Sequence, residues 1–269
     1  ALVEYCLFEN ASGDGEIISN KSSYNTYQYN TFRNSQGALV LRGGHTVTVK
    51  GNYFLNNTCG VIVHGAYHKV INNYFDGVNV AISLPTGTGQ GEQSGPYQTV
   101  EHGLFAHNTI LHTYQKAIYI GQNEGRVEGV FTWDKPPIDN KFINNLIMSF
   151  RGTLIQNNNQ DGTIWENNIV WAGKEGRQGF EGEGLVRDIP KFTKKNGVYC
   201  LSGENNPALD RASRLPYIIE DIDGQKRDEK PDIGCDEFSL TPAKRGPLTA
   251  LDVGPHWMKK INVGKFSKM

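Results

Sequence analysis

Short apolar runs recur along this chain at near-regular intervals, each closed by glycine, asparagine or serine. One class of run ends in Asn-x-aromatic or Asn-x-aliphatic: NTF at Asn30 to Phe32, NYF at Asn52 to Phe54, NYF at Asn73 to Phe75, NTI at Asn108 to Ile110, NLI at Asn145 to Ile147 and NIV at Asn168 to Val170. Cys6-Leu7-Phe8 fits the same frame with Cys in the Asn slot. The final positions Phe8, Phe32, Phe54, Phe75, Ile110, Ile147 and Val170 are separated by 24, 22, 21, 35, 37 and 23 residues. The two long steps hold insertions at residues 87–97 and 121–137. A second run follows each segment: EIIS, ALVL, GVIV, VAIS, AIYI and TLIQ. These runs are short and rich in β-branched residues, and no window carries an apolar stripe of helical period, so the pattern predicts strands.

A unit of roughly 20–25 residues with two or three short strands is the signature of a parallel β-helix. A leucine-rich solenoid would need a leucine spacing the chain lacks, and a β-sandwich would not keep an Asn-x-Phe register. Residues two apart on a strand share a face. Asn30, Asn52 and Asn73 are therefore expected to stack inside one turn, each amide bonding to the next coil, with Phe32, Phe54 and Phe75 stacked beyond them. The expected architecture is all-β: a solenoid of about seven coils over residues 1–171, then last coil(s), loops and a tail packed on the solenoid over residues 172–269. Within the second part GKEGRQGFEGEG reads as flexible, NNPALDRASRL as a short helix after Asn206, and the last residues as frayed. The chain opens directly inside a strand-like repeat, ALVEYCLFEN, so further coils are expected upstream.

Composition adds limits. The 269 residues carry 31 glycines and 38% apolar residues, in keeping with thin, turn-rich coils. A net charge of −1 gives no whole-molecule field for a nucleic acid or another polyanion, so any anion affinity must be local. No apolar run is long enough to span a membrane, and no leader peptide is visible. The four cysteines, Cys6, Cys59, Cys200 and Cys235, form no CxxC pair; buried free thiols are the simpler expectation for Cys6 and Cys59.

The candidate chemistry comes from setting the coils in register. Lys21, Arg42 and His64 then fall in one slot of successive coils, a cationic column with about 5 Å per step. Asp14 and Glu16 are two apart and would share a strand face, a pair suited to a hard cation such as Ca²⁺. One geometric objection stands: Glu16 and Lys21 are an odd number of residues apart, so a straight strand would turn them to opposite faces. A bend near residues 17–19 is required. A cation seat, a lysine and an arginine on one open groove point to β-elimination on a uronate polysaccharide. There Lys21 takes the proton next to the carboxylate, and Arg42 stabilises charge near the leaving oxygen or serves as the acid, relaying a proton to it through water. Lone Lys and Arg residues on a solenoid are usually solvated surface, and Asp14 between two glycines is usually a turn.

At these residues the chain resembles polysaccharide lyase family 6, the alginate lyase and chondroitinase B group. The resemblance rests on DGEIISNKSS, on GALVLRGG followed by VKGNYF, on HKVINNYFDG, on HNTI and on RGPLTALDVGPHW. It implies a right-handed parallel β-helix, Ca²⁺-dependent elimination, Lys21 as base, Arg42 as the arginine, and Asp14 and Glu16 as acidic metal ligands. It further implies an anionic polysaccharide partner, alginate first and dermatan second, and a secreted or periplasmic location. The chain departs from the family pattern in three places. The asparagine metal ligand would lie upstream and has no counterpart here. Gly43 stands where a histidine often follows the arginine, and Ile62 stands near where a further arginine is common. His45 and His64 are the expected substrate contacts that take over part of that role. A non-catalytic carbohydrate-binding solenoid and a mannuronan epimerase are the competing readings; the latter's Asp-Pro-His type motif is not visible. Taken alone, the 269 residues are expected to bind Ca²⁺ weakly and to be nearly inactive.

Overall fold

The computed structural model describes residues 1–255 except 91, 92, 95, 160, 161 and 204. It is a parallel β-helix whose coils present three faces. The first face is a ladder of seven strands among the described residues, running Leu2–Glu4, Thr26–Gln28, Thr48–Lys50, Lys69–Ile71, Leu104–Ala106, Asn140–Ile143 and Thr163–Glu166. The second runs Leu7–Glu9, Thr31–Arg33, Tyr53–Leu55, Tyr74–Asp76 and Thr109–Leu111. The third runs Glu16–Asn20, Ala38–Leu41, Cys59–Val63, Val80–Pro85 and Lys116–Gln122. Every pairing along these faces is parallel. The strand Leu146–Asn157 joins the second face to the third, because it pairs with Thr109–Leu111 at one end and with Lys116–Gln122 at the other.

The expected asparagine stack forms. Asn52 Oδ1 accepts from the backbone N–H and side-chain amide of Asn30, both at 3.0 Å. The same pair of bonds repeats from Asn52 to Asn73, Asn73 to Asn108, Asn108 to Asn145 and Asn145 to Asn168. Each of these asparagines is 0–1% exposed, so a polar side chain survives there because every buried donor finds an acceptor in the neighbouring coil. The residue before each ladder position makes the turn. Tyr5, Tyr29, Gly51, Asn72, His107, Asn144 and Asn167 hold φ between 50° and 65°, the left-handed region. Beyond the ladder Phe8, Phe32, Phe54 and Phe75 stack at 4.7–4.8 Å and fill the bore with Leu39, Leu41, Val61 and Ile82. Cys6 receives no ladder amide of its own but its N–H donates to Asn30 Oδ1 at 2.9 Å, so the substituted slot still closes one bond.

Residues 198–248 pack along the outside of the second face. Val198, Cys200, Ile222, Ile233 and Cys235 cover Tyr53, Tyr74, Leu111 and Leu146. Polar clamps fix this strap: Leu248 N–H donates to Thr31 Oγ1 at 2.7 Å, Cys235 N–H to Thr109 Oγ1 at 2.9 Å and Tyr53 hydroxyl to Asp223 at 3.0 Å. Two expectations are corrected here. The strand Asn168–Gly179 runs across residue 171. That strand includes the first half of GKEGRQGFEGEG, held in place because Glu175, Gly176 and Arg177 pair in register with Arg151, Gly152 and Thr153. NNPALDRASRL makes turns and no helix: Asn206 Oδ1 caps Ala208 N–H at 3.2 Å, and Asp210 N–H is drawn away to Asp232 at 2.8 Å. The fraying expected at the end of the chain concerns residues outside the described range. All four cysteines are free; Cys200 and Cys235 are buried, and Cys6 and Cys59 are only half-buried.

Burial in the strap has a pH consequence. Desolvation, reinforced by Asp221 and Asp223, pushes the Asp236 carboxyl up to about 8. The folded chain therefore holds a proton there that the unfolded chain releases near its ordinary value of 3.8. Folding stability from this group is full below that value and is lost as pH rises through about 8. Asp236→Asn keeps an acceptor for the Leu201 N–H and removes the titration. Its Tm is expected to stay level between pH 6.5 and 8 while that of the wild type declines; parallel curves would refute the assignment.

Candidate active site

The column sits on the third face, and the register places it. Asn20 opposes Leu41 and Leu41 opposes Val63. The next residue in each coil is Lys21, Arg42 and His64. Arg42 N–H donates to Asn20 C=O and His64 N–H to Leu41 C=O, both at 2.9 Å, so the ladder continues one step past the strands and fixes these three backbones in line. The parity objection is met by a bulge. Glu16 opposes Ala38 while Ile18 opposes Leu39, so Ile17 is an extra residue on its strand. The extra residue turns Glu16 to the outer side, where its carboxylate pairs with Arg42 Nη1 at 2.7 Å.

Arg42 is held by three contacts. Glu16 takes Nη1, Nη2 donates to the Tyr97 hydroxyl at 2.8 Å, and the Tyr97 ring centre lies 5.1 Å from the guanidinium carbon. Tyr97 stacks on Trp133 at 4.9 Å and 24°. Both aromatics come from the insertions. The strand Gly87–Gln90 pairs antiparallel with Phe131–Lys135, and this small side sheet follows directly on the third-face strand Val80–Pro85. The first insertion therefore stands beside the column, with Tyr97 against Arg42.

The remaining predicted residues are distributed as follows. Lys21 is exposed at the corner, and among the described residues its amine makes no ion pair or hydrogen bond. His64 completes the column but is 4% exposed, packed 5.1 Å from Tyr97 and 6.3 Å from Trp133. It supports the aromatic pair from beneath instead of facing the groove. Burial pulls its imidazole down to about 4, so it is neutral at pH 7. His45 lies past the corner, exposed, edge-on to Tyr24 at 5.2 Å, on the rim of a cavity of about 420 Å³ that Tyr67, Gln98 and Glu101 also line. Asp14 precedes the strand in the turn, where its carboxylate accepts from Gly15 N–H at 2.6 Å; the shared strand face expected with Glu16 does not form.

Sequence reading missed Tyr97, Trp133 and His68. His68 is buried beside the column: Nδ1 accepts from Val47 N–H at 3.0 Å and Nε2–H donates to His64 C=O at 2.9 Å, which locks the backbone of the third column residue. The signal for the aromatics was present in the spacing, because the first insertion leaves the third face directly after the column slot.

Gly43 and Gly44 separate two local demands. A Cβ on Gly44, at φ +85°, would stand 2.4 Å from the Ser22 carbonyl carbon. A Cβ on Gly43 would meet Lys21 Cα at an ordinary 3.6 Å. Gly44→Ala is expected to cost about 1–3 kcal/mol and to lower Tm. Gly43→Ala should leave Tm nearly unchanged; equal shifts would contradict the coil spacing described here.

Two donor sets bear on metal binding. At the column, Glu16 is committed to Arg42 and Asp14 to its own turn. Two carboxylates so engaged do not make the six to eight oxygens a calcium ion takes, so the described residues do not fit a complete calcium cage. On the strap, Cys200, Asp223 and Asp236 bring one ligand atom each within 4.8 Å of one another. That cluster lies on the second face, apart from the column, and Tyr53 and the Leu201 N–H already engage its two carboxylates.

Residues 1–202 match the chondroitinase B family. No curated protein matches the chain. Among solved structures, a variant of the family 6 alginate lyase AlyGC is 20% identical with a TM-score of 0.68, covering 95% of this chain and 31% of its own. A mannuronic acid specific family 6 lyase from human gut microbiota is 27% identical with a TM-score of 0.57, covering 70% and 44%. A family 6 alginate lyase in complex with a trisaccharide is 19% identical with a TM-score of 0.59, covering 76% and 48%. The chain thus spans a third to a half of the length of these relatives.

Proposed function

The chain belongs to the chondroitinase B family, and from that premise we propose that it carries the catalytic groove of a polysaccharide lyase that cleaves a uronate polymer by β-elimination, with polymannuronate alginate as the first substrate. One observation carries the reading: the coil register puts Lys21 and Arg42 in the same slot of adjacent coils, with a lysine amine that makes no ion pair among the described residues and a guanidinium held by Glu16 and Tyr97. The chemistry needs a base for the proton on the carbon next to the carboxylate and fixed positive charge where the enolate-like charge develops. Lys21 is the base and Arg42 the charge stabiliser. Arg42 is ready for that role without reorganisation, because Glu16 and Tyr97 fix its plane before substrate arrives. The preference for mannuronate draws on the relative named for that specificity. We further propose that the whole protein is secreted or periplasmic, where such polymers are met, with no nucleic-acid or membrane partner.

A bound Ca²⁺ would neutralise the substrate carboxylate, and Asp14 and Glu16 are the acidic residues closest to that task in sequence. Glu16 would first have to leave Arg42. Calcium titrated into the 269-residue chain is accordingly expected to bind no tighter than about 10⁻⁴ M, followed by calorimetry. A micromolar or tighter site would show that these side chains rearrange.

The deciding assay is ultraviolet absorbance from new unsaturated ends, measured on the full-length protein with Ca²⁺ and with polymannuronate, polyguluronate and dermatan in parallel. Signal on polymannuronate first is expected. Signal on dermatan first would make the chain a dermatan lyase, and guluronate formed without cleavage, seen by NMR, would make it an epimerase. Binding without either product would leave a carbohydrate-binding solenoid and refute the elimination.

A further inference from the structure

The strap on the second face carries a side-chain cluster that the elimination does not use. The hairpin of Phe192–Lys195 with Val198–Leu201 forms a two-stranded sheet of its own. Where it meets the turns at 221–225 and 235–237, the Cys200 thiol and one carboxylate oxygen each of Asp223 and Asp236 lie within 4.8 Å of one another. Cys200 and Asp236 are both 7% exposed. The thiol is free and has no hydrogen-bond partner among the described residues. Each carboxylate is committed on one oxygen: Asp223 Oδ1 accepts from the Tyr53 hydroxyl at 3.0 Å, and Asp236 Oδ2 accepts from the Leu201 N–H. Those bonds orient the carboxylates and leave the second oxygen of each for another partner. The three side chains line a cavity of about 350 Å³ together with Lys195, Gln225 and Thr241.

The cluster lacks a counter-charge. Burial, with Asp221 and Asp223 beside it, holds the Asp236 carboxyl up at about 8. Burial, with Asp236 and Asp223 beside it, pushes the Cys200 thiol up to about 12. The nearby Arg227 guanidinium is paired with Glu237 at 3.0 Å, and among the described residues no ion pair reaches Asp223 or Asp236. Acidic groups gathered in a buried place are stabilised by a cation that enters among them.

We propose that Cys200, Asp223 and Asp236 form a Zn²⁺ site that staples the strap to the solenoid, with the fourth position open to the cavity. A thiolate beside two carboxylates suits this borderline-soft ion, whereas Ca²⁺ and Mg²⁺ take oxygen ligands. Ligand atoms around a tetrahedral zinc ion stand roughly 3.5 Å apart, so the three atoms need to close by no more than about 1.3 Å. On binding, the S–H bond breaks, the S–Zn bond forms and the proton leaves to water. The ion would tie the hairpin to both turns, and Tyr53 would carry the link to the second face through Asp223. The site lies apart from the Lys21–Arg42 column and is independent of the elimination. The loss of stability toward pH 8 assigned to Asp236 is a property of the metal-free chain.

The test is metal binding to the full-length protein after chelation. Zn²⁺ is expected to bind tighter than about 10⁻⁶ M. Co²⁺ in its place should give the near-ultraviolet band of a cobalt–thiolate bond. Cys200→Ser should abolish that band and weaken Zn²⁺ by more than about 10²-fold, while Cys59→Ser leaves both unchanged. Asp223→Asn, which keeps an acceptor for Tyr53, should also weaken Zn²⁺. A further measurement needs no variant: Zn²⁺ should slow hydrogen exchange at 198–201 and 221–237 in the wild type and leave the asparagine ladder unaffected. A cobalt complex without the thiolate band, a band that survives Cys200→Ser, or zinc that slows no exchange in the strap overturns the site. The lyase reading is judged separately, by the unsaturated-end assay.

Discussion

Lys21→Ala is expected to remove β-elimination activity by about 10²–10⁴-fold in kcat while leaving Tm within error of wild type. The two halves of that result follow from one observation. The Lys21 side chain is exposed and makes no ion pair or hydrogen bond among the described residues, so the fold loses nothing when it is truncated. The reaction loses its base. Lys21→Arg should not restore activity although it restores charge, because a guanidinium does not give up a proton to become a base. Rescue by arginine would mean that the position supplies only positive charge to the polymer, and the role assigned here would fall. Unsaturated-end absorbance under saturating polymannuronate, with thermal unfolding measured on the same samples, reads both halves.

The largest expected loss of stability lies in the asparagine ladder. Asn73 Oδ1 accepts the Asn52 N–H and the Asn52 side-chain amide, both at 2.9 Å, and both asparagines are fully buried. Asn73→Ala leaves those two donors without an acceptor in a place water cannot reach and opens a small void beside Phe54 and Phe75. The cost is expected to be roughly 2–5 kcal/mol. Gln36→Ala, on an exposed side chain two coils away, should change stability by no more than about 0.5 kcal/mol. Denaturant unfolding of the two variants beside wild type tests this; a near-neutral Asn73→Ala would mean that the ladder is a consequence of the coils and does not hold them together.

Much of the scaffold could be read without coordinates because its rules are local and repeat. A residue class that returns at each coil, followed by a short β-branched run, has few ways to satisfy period-two alternation and bury its amides at once. The column of Lys21, Arg42 and His64 followed from the same counting. The side of the strand on which Glu16 falls did not. One inserted residue, Ile17, reverses every face that parity predicts, and nothing in EIISN marks it as a bulge. The helix expected after Asn206 failed for a related reason: its N–H groups are taken by Asp232 and by Asn206 itself, which are tertiary and turn contacts that propensity does not count.

Amino-acid order alone determined the coil period, the ladder, the aromatic stack and the slot shared by the lysine and the arginine, because each is a contact between equivalent positions one repeat apart. Tertiary structure alone decided what surrounds that slot. Tyr97 and Trp133 arrive from two insertions that pair with each other as a side sheet, and Glu16 reaches Arg42 only through a bulge. Those contacts join non-equivalent positions, so no repeat encodes them, and the energy that selects them comes from packing and charge pairing across loops.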